Sequence, residues 1–245
     1  MRFVVPSRFC GPPESGNGGW VSGHAAAVLQ PGPDESVTVR LRTPPPLDRE
    51  MTAQTGAVEG RRTLEVRDGE HPVLEATTAL GLDAGGIPTA VSFAEATAAG
   101  EGYEGLADHP FPTCFSCGTG RALDDGLRLQ PGRIPDGDGG YAAAWRPRAD
   151  VDLETVWAAL DCPGGWASGI AGRPMVLGTM TAQVASLPIA GEEHVVMAWP
   201  RGGEGRKYHS GTALFSAADG RLLAQAEATW IAIDPKAVRP VGGTA

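Results

Sequence analysis

The stretch Gly18-Gly19-Trp20-Val21-Ser22-Gly23 decides how this chain is read, because a near copy of it occurs later. It returns as Gly164-Gly165-Trp166-Ala167-Ser168-Gly169, at a constant offset of 146 residues (164 − 18). Ala25 and Ala171 continue the match at the same spacing. Two further anchors follow in the same order: Glu59-Gly60-Arg61 against Glu204-Gly205-Arg206, and Glu75-Ala76-Thr77 against Glu227-Ala228-Thr229. Their offsets of 145 and 152 imply short insertions in the second copy, of the kind that hairpin turns accept. Three matches in one order point to a tandem duplication.

Each copy has the same expected layout. A glycine pair opens a segment of small residues, Gly18 to Leu29 and Gly164 to Gly172, which suits a helix pressed closely against a sheet. Strands are predicted over Ser36–Thr43, Met51–Val58, Arg61–Arg67 and Val73–Leu80, and again over Met175–Leu187, Glu193–Trp199, Lys207–Ser216 and Leu222–Ile233. Thr, Val and aromatic residues in partial alternation carry these assignments. Asp68-Gly69 and Asp219-Gly220 separate paired runs, a strong short-range hairpin signal. One helix followed by several antiparallel strands, twice, is an α+β pattern. Residues 1–80 are therefore read as the first unit and 125–245 as the second. Residues 81–124 form a linker with an excursion that holds the CxxC. Leu127–Leu129 and Tyr141–Trp145 are expected to start the second unit's sheet.

The whole chain sets bounds on function. Its 245 residues are 42% hydrophobic, enough to bury a real core. A net charge of −9 and a pI near 5.0 argue against nucleic acid as the main partner, since phosphate binding needs a basic face. No run of about 18 apolar residues predicts a membrane span. Met1 to Cys10 lacks the charged start and apolar stretch of a signal peptide. Four cysteines without an export signal suggest a reducing compartment, with thiols that are free or metal-bound. The expected location is cytoplasmic. The 35 glycines and 21 prolines gather between apolar runs, as turn punctuation does.

Asn17-Gly18-Gly19 and Pro163-Gly164-Gly165 resemble the His-Gly-Gly element that opens the central helix of many hotdog thioesterases. Gly205-Arg206-Lys207, Asp219-Gly220-Arg221-Leu222-Leu223-Ala224 and Glu227-Ala228-Thr229 resemble the closing strands of that fold. Over about two thirds of its length the chain is thus similar to the double hotdog acyl-CoA thioesterases of the thioesterase-like superfamily. The resemblance implies two central helices, each wrapped by an antiparallel sheet, with the two sheets joined in one layer. It implies acyl-CoA or an acyl-carrier thioester as partner, and no cofactor beyond the coenzyme A moiety of the substrate. It also implies a monomer or homodimer, since two units in one chain already supply the pairing that single-unit relatives get by dimerising. Fold analogy does not fix a reaction, and the chain departs from the family at one point. Many relatives carry Asp or Glu on the central helix two or three turns after the glycines. His24-Ala25-Ala26-Ala27-Val28-Leu29 and Ile170-Ala171-Gly172 hold neither. Two readings stay open: a thioesterase, and a non-catalytic binder of acyl-CoA or a lipid-like ligand.

The candidate site residues follow from the same motifs. A helix N-terminus leaves N–H groups unpaired and partly positive, so Gly18, Gly19, Gly164 and Gly165 are candidates for holding a thioester carbonyl and its oxyanion. Close helix–sheet packing is the other reading of those glycines. Asp161, just before the second pair, is either a water-activating base or a helix cap. His24 is a candidate base near neutral pH or a packed ring. Asn17, in the place of the family's histidine, either bonds a carbonyl or shapes a turn. Arg61, Arg206 and Lys207, with Arg62, fall at matching positions after the Glu-Gly pairs and suit coenzyme A phosphates, or are solvated strand ends. Glu75 and Glu227 read as outward-facing carboxylates, and His209 lies near Arg206 and Lys207. No G-x-S-x-G elbow surrounds Ser22 or Ser168. His109-Pro-Phe-Pro-Thr-Cys114-Phe-Ser-Cys117 offers a zinc site of Cys114, Cys117 and His109, completed by a distant group such as Cys10 or Cys162, because a closed zinc site takes four ligands. A third reading is accordingly a zinc- or redox-linked interaction module. The strand–helix context of a thioredoxin-like pair is absent. Cys10 and Cys162, each near a glycine pair, are also weighed as nucleophiles.

Overall fold

The computed structural model describes residues 1–123, 125–135, 139–148 and 151–234. The boundary expected at Asp124 and the chain end after Asp234 lie outside the described residues. In chain order the elements are β1 (Arg2–Phe3), α1 (Gly18–Leu29), β2 (Glu35–Leu41), β3 (Met51–Val58), β4 (Arg61–Asp68), β5 (His71–Leu80), α2 (Phe93–Glu101), β6 (Gly132–Arg133), β7 (Tyr141–Trp145), α3 (Leu153–Ala167), β8 (Met175–Val184), β9 (His194–Glu204), β10 (Lys207–Ser216) and β11 (Leu222–Ala232). No helix among the described residues is long and apolar enough to cross a membrane.

The strands form one antiparallel layer in the order β1-β3-β4-β5-β2-β8-β11-β10-β9-β7-β6. The order mirrors about its middle: β3-β4-β5-β2 on one side answers β9-β10-β11-β8 on the other. The two halves meet where β2 pairs with β8, Val37 opposite Ala182 and Val39 opposite Met180. The Thr38 and Thr181 hydroxyls bond across that seam at 2.9 Å. This is a tandem hotdog arrangement, with α1 and α3 buried against the sheet. The Glu-Gly-Arg anchors sit at equivalent turns, β3–β4 and β9–β10, and the Glu-Ala-Thr anchors lie in the equivalent strands β5 and β11.

The β3–β4 turn explains its own sequence. Glu59 and Gly60 both have positive φ, 51° and 78°, as a two-residue turn matching the sheet's twist requires. A Cβ on Gly60 meets nothing within 4 Å, so Gly60→Ala adds backbone strain alone. Expected is a loss of about 1–2 kcal/mol in urea unfolding. An unaltered midpoint would contradict this conformation.

The second helix corrects the sequence reading. Gly164-Gly165 does not open it. The helix begins at Leu153, capped by Asp152, whose side chain accepts from the Thr155 amide at 2.8 Å. The glycine pair therefore lies near the C-terminal end, where no free N–H groups face outward and the helix dipole has the opposite sign. Its role is close packing: a Cβ would meet Ser210 Oγ at 2.5 Å from Gly164 and the Trp230 ring at 3.1 Å from Gly165. The six-residue match thus joins the start of one helix to the end of the other. Both segments are rich in small residues because both press against neighbours.

The two helices run antiparallel, since moving along α1 from Gly19 to Gly23 moves back along α3 from Asp161 to Glu154. Glycine makes the contact possible. A Cβ on Gly23 would lie 2.7 Å from Glu154 Cα. Trp157, Trp166, Val21, Ala25 and Leu160 are buried in the shared core. Tyr141–Trp145 is strand β7, paired with β9, as expected for the start of the second unit's sheet. Leu127–Leu129 is not a strand. The amides of Leu127 and Leu129 bond the carbonyls of Phe115 and Ser116 instead, so this segment ties down the CxxC loop.

Candidate functional site

Three elements converge at the start of α1. Asn17 caps the helix, its Oδ1 accepting from the Trp20 amide at 2.8 Å. The same side chain reaches across to α3, where Nδ2 donates to Asp161 Oδ2 at 2.9 Å. The Gly19 amide donates to that oxygen as well, at 3.0 Å. A Cβ on Gly19 would stand only 2.3 Å from Asp161 Cβ, so no larger residue permits this approach. Asp161 lies inside α3, and so does not cap its own helix. It takes an otherwise unpaired N–H at the start of the other one.

Asp161 is 2% exposed. Its second oxygen, Oδ1, has no hydrogen-bond partner among the described residues. Burial pushes its pKa up to about 7 and the neighbouring Cys114 adds to the rise, while the bonds from Gly19 and Asn17 oppose it. A buried carboxylate with an unsatisfied oxygen is costly to keep.

The CxxC loop supplies the third wall. Cys114 and Cys117 are buried and stand beside Cys162 of α3, with Cys114 Sγ 3.5 Å from Cys162 Sγ. Asn17 Nδ2 lies 3.6 Å from Cys114 Sγ and 3.9 Å from Cys162 Sγ. His109 Nε2 is 3.4 Å from Cys117 Sγ, and its Nδ1 accepts from the Phe111 amide at 2.9 Å. Tyr103 anchors the loop from behind, its hydroxyl donating to the Cys117 carbonyl at 3.0 Å.

Asn17, Gly18, Asp161, Cys114, Cys117 and Cys162 all line one cavity of about 250 Å³. Its remaining walls are mostly apolar, among them Ile170, Met175, Leu177 and Trp230. Gly18 lines it, while Gly19, whose amide is taken by Asp161, does not. Arg42 also lines it, paired with Glu75 at 2.6 Å.

Other expected residues lie elsewhere. His24 bonds Glu154 at 3.2 Å and packs its ring on Phe3 and Trp20, outside the cavity lining. Arg61, Arg206 and Lys207 are exposed at the hairpin turns and do not line it. Arg62 pairs with Glu35 at 2.5 Å and Glu227 with Arg201. His209 meets Thr229 Oγ1 at 3.1 Å on the surface. Cys10 donates to the Thr113 carbonyl at 3.2 Å, apart from the other three sulfurs. Gly164 and Gly165 are packing residues, and Ser22 is buried in α1 with no partner for its hydroxyl among the described residues. The sequence reading missed Arg42 and the apolar wall from β8 and β11, because alternation within a strand does not say which distant helix covers it.

No family model matches the sequence, and no curated protein is significantly similar. Solved structures do match. A hot dog fold protein of unknown function from Alicyclobacillus acidocaldarius superposes with a TM-score of 0.62 at 15% identity, over 96% of this chain and 93% of that one. An acyl-CoA thioesterase II from Mycobacterium marinum gives 0.58 at 11%, over 99% and 94%. The dehydratase domain of PpsC from Mycobacterium tuberculosis, solved in complex with C12:1-CoA, gives 0.62 at 12%, over 95% and 93%. At such identities the likeness is one of fold, and it extends over nearly the whole of each chain.

Proposed function

The chain having the tandem hotdog fold found in acyl-CoA thioesterases, we propose that it hydrolyses acyl thioesters of the acyl-CoA class, with Asp161 as the base that activates water. The observation that carries this reading is the buried Asp161 carboxylate, held by Asn17 and Gly19 with its other oxygen unpaired, on the wall of an apolar cavity. The carboxylate missing from α1 has a counterpart on α3. A thioester carbonyl seated against the Gly18 amide would gain charge stabilisation from a helix start. Water held at Asp161 Oδ1 would add to the carbonyl carbon and give its proton to the carboxylate. Collapse of the tetrahedral adduct would break the C–S bond, and the departing thiolate would take that proton back. The apolar walls suit an acyl chain, and Arg42 suits a phosphate of the coenzyme.

The test is thiol release from a panel of acyl-CoAs, short, long and aromatic, with ligand-induced thermal shift alongside. Turnover restricted to one chain class is expected. Stabilisation without thiol release would favour the second reading, a protein that binds acyl-CoA without cleaving it. One observation favours that reading: the Gly19 amide is committed to Asp161 and is not open to an oxyanion. No shift and no release would remove both.

A further inference from the structure

We propose that Cys114, Cys117 and Cys162 bind a single zinc-class divalent ion, with its fourth coordination position open to the cavity. Three sulfurs from two distant parts of the chain lie within 4.8 Å of one another. For a tetrahedral zinc with Zn–S bonds of about 2.3 Å, ligand sulfurs stand about 3.8 Å apart. The 3.5 Å between Cys114 and Cys162 is close to that spacing, so small movements of side chains would complete it.

The N–H groups around the sulfurs suit a cluster of metal-bound sulfurs. The Asn17 amide points at Cys114 and Cys162. His109 faces Cys117 with Nε2. Because Nδ1 of that ring accepts from the Phe111 amide, the proton of the neutral ring sits on Nε2 and is donated to the sulfur. Three thiolates side by side, two of them on buried residues, would be prohibitive without a cation, and soft sulfur ligands select zinc-like ions.

The ligand set differs from the one the sequence suggested. Cys162 enters it, and His109 becomes the donor that orients Cys117, because binding metal through Nε2 would require Nδ1 to carry a proton and give up its bond from Phe111. Three protein ligands with an open position is the arrangement of catalytic zinc, whereas four is that of structural zinc. The open side shares its cavity with Asp161 and Asn17. A sulfur or carbonyl oxygen of a bound ligand is the class of group that would reach it. The site itself does not depend on thioester hydrolysis.

The experiment is elemental analysis of the full chain purified without chelator, joined to cobalt(II) titration of the protein after metal removal. Near one zinc per chain and a thiolate-to-cobalt charge-transfer band are expected. Cys114→Ser, Cys117→Ser and Cys162→Ser should each lower metal content at least tenfold, while Cys10→Ser keeps it. His109→Ala should retain the metal, and its loss to the level of the cysteine variants would overturn the open position. Absence of both zinc and the cobalt band in the unaltered protein, or a Cys114–Cys162 disulfide in its mass spectrum, would overturn the site, and these readouts do not depend on how the variants fold. Metal bound by a protein that releases no thiol would leave this inference standing and reject the hydrolase.

Discussion

Asp161→Asn is expected to reduce thiol release at least a hundredfold while the protein stays folded. The side chain keeps its size in a place where α1 and α3 nearly touch. Its carbonyl oxygen can still accept from the Gly19 amide and from Asn17, which now hold Asp161 Oδ2 at 3.0 and 2.9 Å. What disappears is the proton acceptor, and a positioned general base is worth about 10²–10⁴ in rate. Stability is expected to hold, because the variant loses a buried charge but sets an amide nitrogen where the oxygen without a partner stood. Thermal melting and thiol release on one preparation would check both halves. A variant that turns over normally would remove Asp161 from the mechanism, and one that fails to fold would show its role to be structural.

The parts of the fold that local rules govern were legible. Eight strands follow from Thr, Val and aromatic patterning, and two of their hairpins from Asp68-Gly69 and Asp219-Gly220. Helix α1 follows from the glycine pair and the small residues after it, while Asn17, read as a carbonyl partner or a turn residue, proves to be its cap. The second helix was misplaced because its start, Asp152 before Leu153, is an ordinary cap signal, outweighed by an exact recurrence of Gly-Gly-Trp that reflects packing. The candidate site was legible as a set of residues more than as an assembly. Asp161, Asn17, Cys114 and Cys117 were each singled out on chemical grounds. Nothing in the spacing of 17, 114 and 161 says that they touch, because their meeting depends on two helices crossing the same sheet and on the 108–118 loop folding back over both. The same reason hid the apolar wall from Met175, Leu177 and Trp230. Arg61, Arg206 and Lys207 drew attention through repetition, yet repetition there marks equivalent turns and not a shared ligand.

Gly19→Ala is expected to be as damaging as loss of the carboxylate, and to act through stability as well. The added methyl would stand 2.3 Å from Asp161 Cβ and 2.7 Å from the Trp157 carbonyl oxygen. The second of these is helix backbone, which cannot swing aside. Ordinary contact then requires α1 and α3 to part, against a core in which Trp157 and Val21 are fully packed. Overpacking of this kind costs about 1–3 kcal/mol, and the rigid neighbour puts this position at the upper end. Parting the helices also breaks the Gly19–Asp161 and Asn17–Asp161 bonds together, so the base loses its orientation while keeping its charge. Thiol release should fall about a hundredfold, the effect that misplacement by about 1 Å produces. Gly172→Ala is the control, since a Cβ there meets nothing within 4 Å, and it should change unfolding by less than about 0.5 kcal/mol. If Gly19→Ala instead melted and turned over like its control, then the close crossing of the two helices, and with it the placement of Asp161 against the start of α1, would have to be abandoned.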